Sequence, residues 1–276
     1  MSYAEDILSL AQNMREKGSP FVLATVVRAL ASTCAKPGAK AIILPNGTFS
    51  EGWIGSGCTR GAVLKAAKDA LEDGQSRLIS VEPGDLLAKR GVAPGEERDG
   101  VHYAKNSCPS RGCMDIFVEP MLPRPEMFVC GSSPVAVATA ELAAKLGFAV
   151  TACVPASDQE AFPEVEKRIE GYELPPTSPG ERFIVVSTQG RGDDAALQGA
   201  LAVDADYVAF IASSRKAEAL KAKLQERGLP ADKLGRLRAP AGIDIHAVTP
   251  EEIALSVLAE IVAFRRSQLK GHAHEA

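Results

Sequence analysis

Gly131-Ser132-Ser133-Pro134 stands between an apolar run ending in Val129-Cys130 and a helical pattern that begins at Val135. A strand-to-helix turn of this kind leaves backbone N–H groups free at the positive end of the helix, and an anion satisfies them. Ser133 suits the cap and Pro134 the first helical position. Against the dinucleotide pattern G-x-G-x-x-G/A, Ala136 holds the third place and Ser133 replaces the second glycine, which tightens the approach of a pyrophosphate. A plain strand-to-helix turn carries the same residues, so the other strand ends must be read beside it.

Two of those ends have matching chemistry. Gln189-Gly190-Arg191-Gly192-Asp193-Asp194 sets an arginine between glycines ahead of a helix, and a bound phosphate gives that arginine a use that a flexible loop does not. Ser213-Ser214-Arg215-Lys216 brings two hydroxyls and two cations to the next helix start, where a solvated cap is the competing reading. In an open parallel sheet these turns share the carboxyl edge, so together they predict a crevice for an extended, anionic, nucleotide-like ligand. A nicotinamide site wants an acid at the end of the second strand to grip the ribose. Here that place reads Val154-Pro155-Ala156-Ser157, with Asp158 arriving late.

The other half of the chain offers Gly55-Ser56-Gly57-Cys58-Thr59-Arg60-Gly61. It places a thiol at a helix start beside an arginine, and both lower a thiol pKa. Cys58 is therefore either a soft metal ligand or sulfur-handling thiolate, or a small residue buried at a tight turn. Cys108 and Cys113 have no second Cys or His pair at zinc spacing. His102, His246, His272 and His274 show no pairing, and no Gly-x-Ser-x-Gly elbow is present, so acid–base or hydrolytic catalysis is not expected.

The elements that must position these residues fall into two groups. Ala4–Lys17 reads as an amphipathic helix, Phe21–Leu30 as a strand, and Ala39–Leu44 and Thr48–Ile54 as a hairpin with Asn46-Gly47 in its turn. A helix follows Cys58 and stops at Gly74, then a strand spans Arg77–Val81. Glu82–Ser110 reads as a long loop, and Gly112–Glu119 as a strand that Pro120-Met121-Leu122-Pro123-Arg124-Pro125 ends. Beyond it strands alternate with helices: Met127–Cys130, Val135–Leu146, Ala149–Val154, Phe183–Ser187, Asp194–Val203, Tyr207–Ile211 and Lys216–Arg227. A capped helix runs from Pro250 to about Arg266, with a tail expected to fray after Gln268. The fold class is α/β, the later part a parallel sheet with crossover helices.

With 276 residues, 46% hydrophobic and 24% charged, the chain can bury two cores. A net charge of -4 argues against nucleic acid. The first residues lack a basic leader and no apolar run is long enough to span a membrane, so a cytoplasmic protein is expected, with its six cysteines as free thiols.

Five blocks in order then carry a resemblance: Lys36-Pro37-Gly38-Ala39, Gly55 to Val63, Phe117-Val118-Glu119-Pro120, Ala239-Pro240-Ala241-Gly242-Ile243-Asp244-Ile245 and Thr249-Pro250-Glu251-Glu252-Ile253-Ala254-Leu255. Over nearly its whole length the chain resembles the XdhC/CoxI/CoxF family of molybdenum hydroxylase maturation factors. The resemblance implies an XdhC/CoxI-type N-terminal domain over 1–122 and a Rossmann-like nucleotide-binding domain over 126–270. It implies a carrier rather than an enzyme, which holds mature molybdenum cofactor and hands it to an apo-hydroxylase such as carbon monoxide dehydrogenase or xanthine dehydrogenase. Members commonly have Gly-x-Gly-His in the first Rossmann turn and Thr-His-Asp after a later strand. The departures at Gly131-Ser132-Ser133-Pro134 and Thr188-Gln189-Gly190 resemble the CoxF-like branch, whose ligand would be molybdopterin cytosine dinucleotide rather than plain molybdopterin. Cys58 would then face the metal end. A sulfurtransferase and a second copy of the chain, as a homodimer, are the further partners implied. An NAD(P)- or flavin-dependent oxidoreductase and a structural adaptor without retained cofactor are the alternatives.

Overall fold

The computed structural model describes residues 3–31, 33, 35–55, 57–109, 111–176 and 180–274. The chain divides into two compact units, separated in sequence between Pro123 and Arg124, the second running to Gln268.

The first unit contains α1 (Tyr3–Glu16), β1 (Phe21–Leu30), β2 (Lys40–Ile43), β3 (Phe49–Gly52), α2 (Gly57–Asp73), β4 (Arg77–Pro83), α3 (Gly84–Arg90), β5 (Glu97–Arg98), β6 (Val101–Asn106) and β7 (Cys113–Met121). Its seven strands lie in the order β3-β2-β1-β7-β4-β6-β5, antiparallel throughout except β4 against β6. Alternation along β1 decides the two faces. Val22, Ala24 and Val26 pack under α2, whose Val63, Ala66, Ala67 and Ala70 form one helical stripe, while Phe21 and Leu23 meet Ile7 and Ala11 of α1.

Three expectations for this unit are corrected. The stretch expected as a loop over Glu82–Ser110 holds α3, β5 and β6. Helix α3 buries little besides Leu87, and β6 is only half-buried along most of its length, so neither leaves a hydrophobic period to read. Strand β7 runs through Pro120, which pairs with Val22. It can do so because β4 partners β7 only as far as Val118, and the missing N–H falls where one side of the strand is unpaired. In the hairpin turn only Gly47 has positive φ. Its N–H donates to Leu44 O (2.9 Å) with Pro45 next in the turn, so Asn46 does not adopt the left-handed form.

The second unit contains β8 (Glu126–Cys130), α4 (Pro134–Lys145), β9 (Ala149–Val154), a 3-10 turn (Ala156–Ala161), β10 (Lys167–Glu170), β11 (Arg182–Val186), α5 (Asp193–Ala202), β12 (Tyr207–Phe210), α6 (Ser214–Glu226), α7 (Ala231–Gly235), β13 (Leu237–Arg238) and α8 (Pro250–His274). All six strands are parallel, in the order β10-β9-β8-β11-β12-β13. Strands β8, β11 and β12 are apolar and buried on both faces, as a doubly covered sheet requires. One face packs under α4 and α8, with Val129, Val150, Phe183 and Val185 against Ala136, Ala140, Val257 and Ile261. The other packs under α5 and α6, with Phe128, Ile184, Val186 and Phe210 against Ala196, Leu197 and Leu224.

This is the dinucleotide-binding order, two strands growing to one side of β8 and three to the other, so the direction of winding reverses between β8 and β11. The sequence reading passes over β10, because Lys167-Arg168-Ile169-Glu170 has one apolar residue and lies at a charged sheet edge. Helix α8 starts with the expected capping box, Glu252 accepting from Thr249 N at 2.9 Å and Thr249 Oγ1 from Glu252 N at 3.3 Å. It continues to His274, beyond the fraying point expected at Gln268.

Candidate functional site

The crevice at the carboxyl edge of the second sheet is built from the winding reversal outward. Gly131 leaves β8 at φ +109°, and a Cβ there would stand 2.5 Å from Ser187 O and 2.8 Å from Thr188 Cα. A glycine is therefore required by the closeness of the next strand end as well as by its own dihedral. Ser133 Oγ accepts the N–H of Ala136 at 3.0 Å and stands 2.7 Å from the buried Ser187 hydroxyl. With Pro134 at the first helical position, α4 has the expected cap, and the cap is tied to β11.

The turn after β11 is a tight curl. Gln189 has φ +49°, Gly190 and Gly192 have φ near +90°, and Arg191 N donates to Thr188 O at 3.0 Å. Asp193 organises it, accepting from the Thr188 hydroxyl and from Gly190 N at 3.2 Å. Asp193 also holds Lys216 Nζ at 2.7 Å, joining this turn to the one after β12, where Ser213 caps α6 by accepting from Lys216 N. Burial alone would raise the Asp193 carboxyl, but Lys216 and Thr188 outweigh it and hold it below the usual carboxylate range. Asp194 is held low by Lys223, with Arg227 2.9 Å away. Among the described residues the side chains of Arg191 and Arg215 make no hydrogen bond, and Ser214 and Arg215 are exposed at the start of α6.

The structure also returns a residue that its sequence position had disqualified. Asp158, in the 3-10 turn after β9, accepts from the Ser132 hydroxyl at one oxygen and from Ser157 Oγ at the other (2.8 Å). The Ser132 and Ser157 hydrogen bonds, and after them the charge of Arg191, lower its pKa. The carboxylate expected to be missing thus reaches the first turn after all, by folding back rather than by ending the strand. Tyr172, after β10, adds a wall: a Cβ on Gly192 would lie 3.2 Å from its ring, and burial pushes its phenol pKa up. No spacing rule in the sequence would have joined Asp158 to Ser132 or Tyr172 to Gly192.

In the first unit Gly55 and Gly57 have positive φ and α2 begins at Gly57, so Cys58 opens a helix as expected. Ser56 and the side chain of Cys58 lie outside the described residues. Arg60 stacks 4.1 Å over the Phe49 ring. On the sheet face opposite α2, Ser80 Oγ donates to Asp115 Oδ1 (2.7 Å), Arg28 pairs with Asp115 (2.5 Å), and the buried Glu82 lies 3.3 Å from Arg90. Cys113 beside them has its pKa raised, first by burial and then by Glu82, so it is a thiol and not a thiolate. Cys113, Cys130 and Cys153 are buried free thiols. Among the described residues no group of three His, Cys, Asp or Glu can hold a metal ion, and no helix is long and apolar enough to cross a membrane.

A curated relative, the uncharacterized protein YqeB of Escherichia coli (strain K12), is 27% identical over 274 residues, 95% of this chain and 47% of that protein. A probable xanthine dehydrogenase component of Bacillus subtilis (strain 168) is 27% identical over 160 residues, 55% of this chain and 46% of that protein. The chain therefore spans about half the length of the curated relatives it matches. A crystal structure of a xanthine dehydrogenase from Bacillus halodurans is similar at 18% identity and TM-score 0.45, covering 97% of this chain and 96% of that one. Two family models match, one for the XdhC and CoxI family and one for the XdhC Rossmann domain. Residues 14–82 match the model of the XdhC and CoxI family, and residues 127–261 match that of the XdhC Rossmann domain.

Proposed function

We propose that this protein is a maturation factor for a molybdenum hydroxylase, a carrier that holds molybdenum cofactor and delivers it, and not itself an enzyme. The observation that carries the reading is the crevice at the winding reversal, in a domain matched by the XdhC Rossmann model. Its donors suit a pyrophosphate: the open end of α4 beside Ser132 and Ser133, the curl of Gln189, Gly190, Arg191 and Gly192, and the start of α6 with Ser214 and Arg215. Asp193 and Lys216 fix the latter two turns against each other.

In this reading residues 126–270 are the nucleotide-binding domain and residues 1–122 the XdhC/CoxI-type domain, with Gly55, Ser56, Gly57 and Cys58 at the metal end. The cofactor contributes molybdenum chemistry to the client hydroxylase, and this chain contributes binding and orientation. The finer proposal is the CoxF-like branch with molybdopterin cytosine dinucleotide as ligand. Its client would be carbon monoxide dehydrogenase or xanthine dehydrogenase, its further partners a sulfurtransferase and a second copy of this chain, and its place the cytoplasm. Anaerobic purification followed by molybdenum analysis and mass spectrometry of the released pterin tests it. Stoichiometric metal with a pterin dinucleotide is expected, and protein that neither retains nor takes up cofactor refutes it.

One observation favours a second reading. Asp158 on Ser132 restores a carboxylate near the place where a nicotinamide dinucleotide needs one, so an NAD(P)- or flavin-binding oxidoreductase keeps a structural argument. Titration with NADH, followed by nicotinamide fluorescence, separates the two: saturable binding supports the oxidoreductase and its absence supports the carrier.

A further inference from the structure

We infer that the loop between β13 and α8, with the first turns of α8, is a docking surface for the protein that receives the ligand, and that this partner covers it with an apolar groove bordered by lysine or arginine. The inference rests on the carrier reading and adds where the recipient seats. Val248 is 83% exposed, and Ile243, Ile245 and Leu255 are each between 42% and 55% exposed. Single exposed hydrophobes are ordinary on a surface, but a group of them on one loop and the helix turn beside it marks a surface that another molecule covers. Val248 makes the point most clearly. It precedes the Thr249 cap, the position from which an apolar side chain commonly folds onto the fourth helical residue, here Ile253, yet it is left in solvent.

The loop presents these side chains on a fixed backbone. Gly242 N donates to Glu260 Oε2 (2.6 Å) and Ile243 N to Ser256 O (3.3 Å), which brings Ile243 to the turn of α8 that carries Leu255. A Cβ on Gly242 would stand 2.5 Å from Ser256 Oγ, so the chain lies directly on the helix. His246 N donates to Asp244 Oδ1 at 3.1 Å and Val248 N to Glu252 Oε2 at 2.7 Å. A surface tied in this way loses little freedom when it is covered. Charge then selects the occupant. Asp244, Glu251 and Glu252 are exposed around the apolar group, and the sequence has no lysine or arginine from Ala239 to Phe264. A second copy packed here about a two-fold axis would set acid against acid, whereas basic residues around an apolar groove would match the surface. Place gives the partner its role. Ala241 N donates to Phe210 O at the carboxyl end of β12 (3.2 Å), so the loop starts from the sheet edge that holds the crevice, and a protein seated on it stands beside the ligand.

Biolayer interferometry with a molybdenum hydroxylase of the same organism, purified free of cofactor, tests this with no pterin present. The unaltered chain should bind it, more weakly as salt rises. Ile245→Ser and Val248→Ser together should weaken binding at least tenfold, and Glu251→Lys should weaken it and flatten the salt dependence. These substitutions change exposed side chains, so the melting temperature and the affinity for inorganic pyrophosphate should stay close to those of the unaltered protein. No binding of the hydroxylase, binding that ignores salt, equal affinity of the variants or a parallel loss of pyrophosphate affinity overturns the inference. So does sedimentation in which the same substitutions turn a dimer into monomers, since the occupant would then be a second copy. Failure of the carrier reading appears elsewhere, as absence of molybdenum and pterin from a chain that still seats the hydroxylase on this surface.

Discussion

Replacing Gly131 by alanine should be among the most damaging single-methyl additions in the second unit, and its cost can be worked from the turn it occupies. The new Cβ would lie 2.5 Å from Ser187 O and 2.8 Å from Thr188 Cα, both backbone atoms that cannot rotate away. Moving them means displacing the end of β11 from β8 or opening the Ser133–Ser187 contact, an overpacking penalty of about 1–3 kcal/mol. Holding an L-residue at φ +109° adds roughly 1–2 kcal/mol. The stiffer unfolded chain returns about 0.4–1 kcal/mol. The net loss is roughly 2–4 kcal/mol, a melting temperature lower by roughly 5–15 °C for a domain of this size. Gly190→Ala is the control, since its φ is +92° but nothing stands within 4 Å of the added methyl, and it should cost only about 1 kcal/mol. Urea denaturation followed by circular dichroism measures both. Equal losses for the two variants would refute the argument that closeness of the two strand ends, and not the dihedral alone, fixes this glycine.

Four further outcomes are expected. Asp193 and Asp73 have folded pKa values below those of the unfolded chain, Asp73 because the Arg77 guanidinium outweighs its burial. Their contribution is therefore fully present above the unfolded carboxylate pKa of about 4 and is lost as pH falls through the lower folded value. Acid unfolding should flatten in this window in Asp193→Asn and Asp73→Asn, and an unchanged profile would count against both ion pairs. Arg182 is buried, with Nη1 donating to Pro175 O (2.8 Å) and Asp204 O (3.3 Å), so Arg182→Ala should cost about 2–4 kcal/mol in a denaturant titration and Arg182→Met less. Arg191→Ala should weaken pyrophosphate affinity by about 1.5–3 kcal/mol, and titration with inorganic pyrophosphate reads it directly. Cys58→Ala should lower molybdenum retention while the circular dichroism spectrum is unchanged, and equal metal content in the two proteins would remove the proposed role.

The sequence announced what repeats along it or sits next to itself. Strand β1, the α2 stripe from Val63 to Ala70, and the run of buried strands and helices from β8 to α6 all follow from periodicity, and the cap at Ser133 follows from adjacency. Elements with few apolar residues escaped. Lys167–Glu170 reads as polar because it is an edge strand, and Val101–Asn106 because only part of it is buried. The site divides in the same way. Its turns lie in contiguous residues and were legible, including the glycines and Arg191. Their connections were not, since Asp158 to Ser132, Asp193 to Lys216 and Tyr172 to Gly192 are made by tertiary folding across 20 residues or more. The case against a ribose carboxylate rested on sequence position alone, and a 3-10 turn was enough to undo it.

The two sheets also differ in how they must be assembled in time. In the first, β1 meets β2 and β2 meets β3 through short connections, so pairing can begin locally. In the second every pair is parallel, and the central contact, β8 with β11, closes only after α4, β9 and β10 have been made. Loop closure over such separations slows folding and leaves strand edges exposed for longer. The second unit should then be the slow phase in refolding, and its apolar β8, β9 and β11 segments the ones a chaperone meets. A protein proposed to escort another's cofactor would depend, during its own synthesis, on the strands that later frame that cofactor being shielded until the last of them arrives.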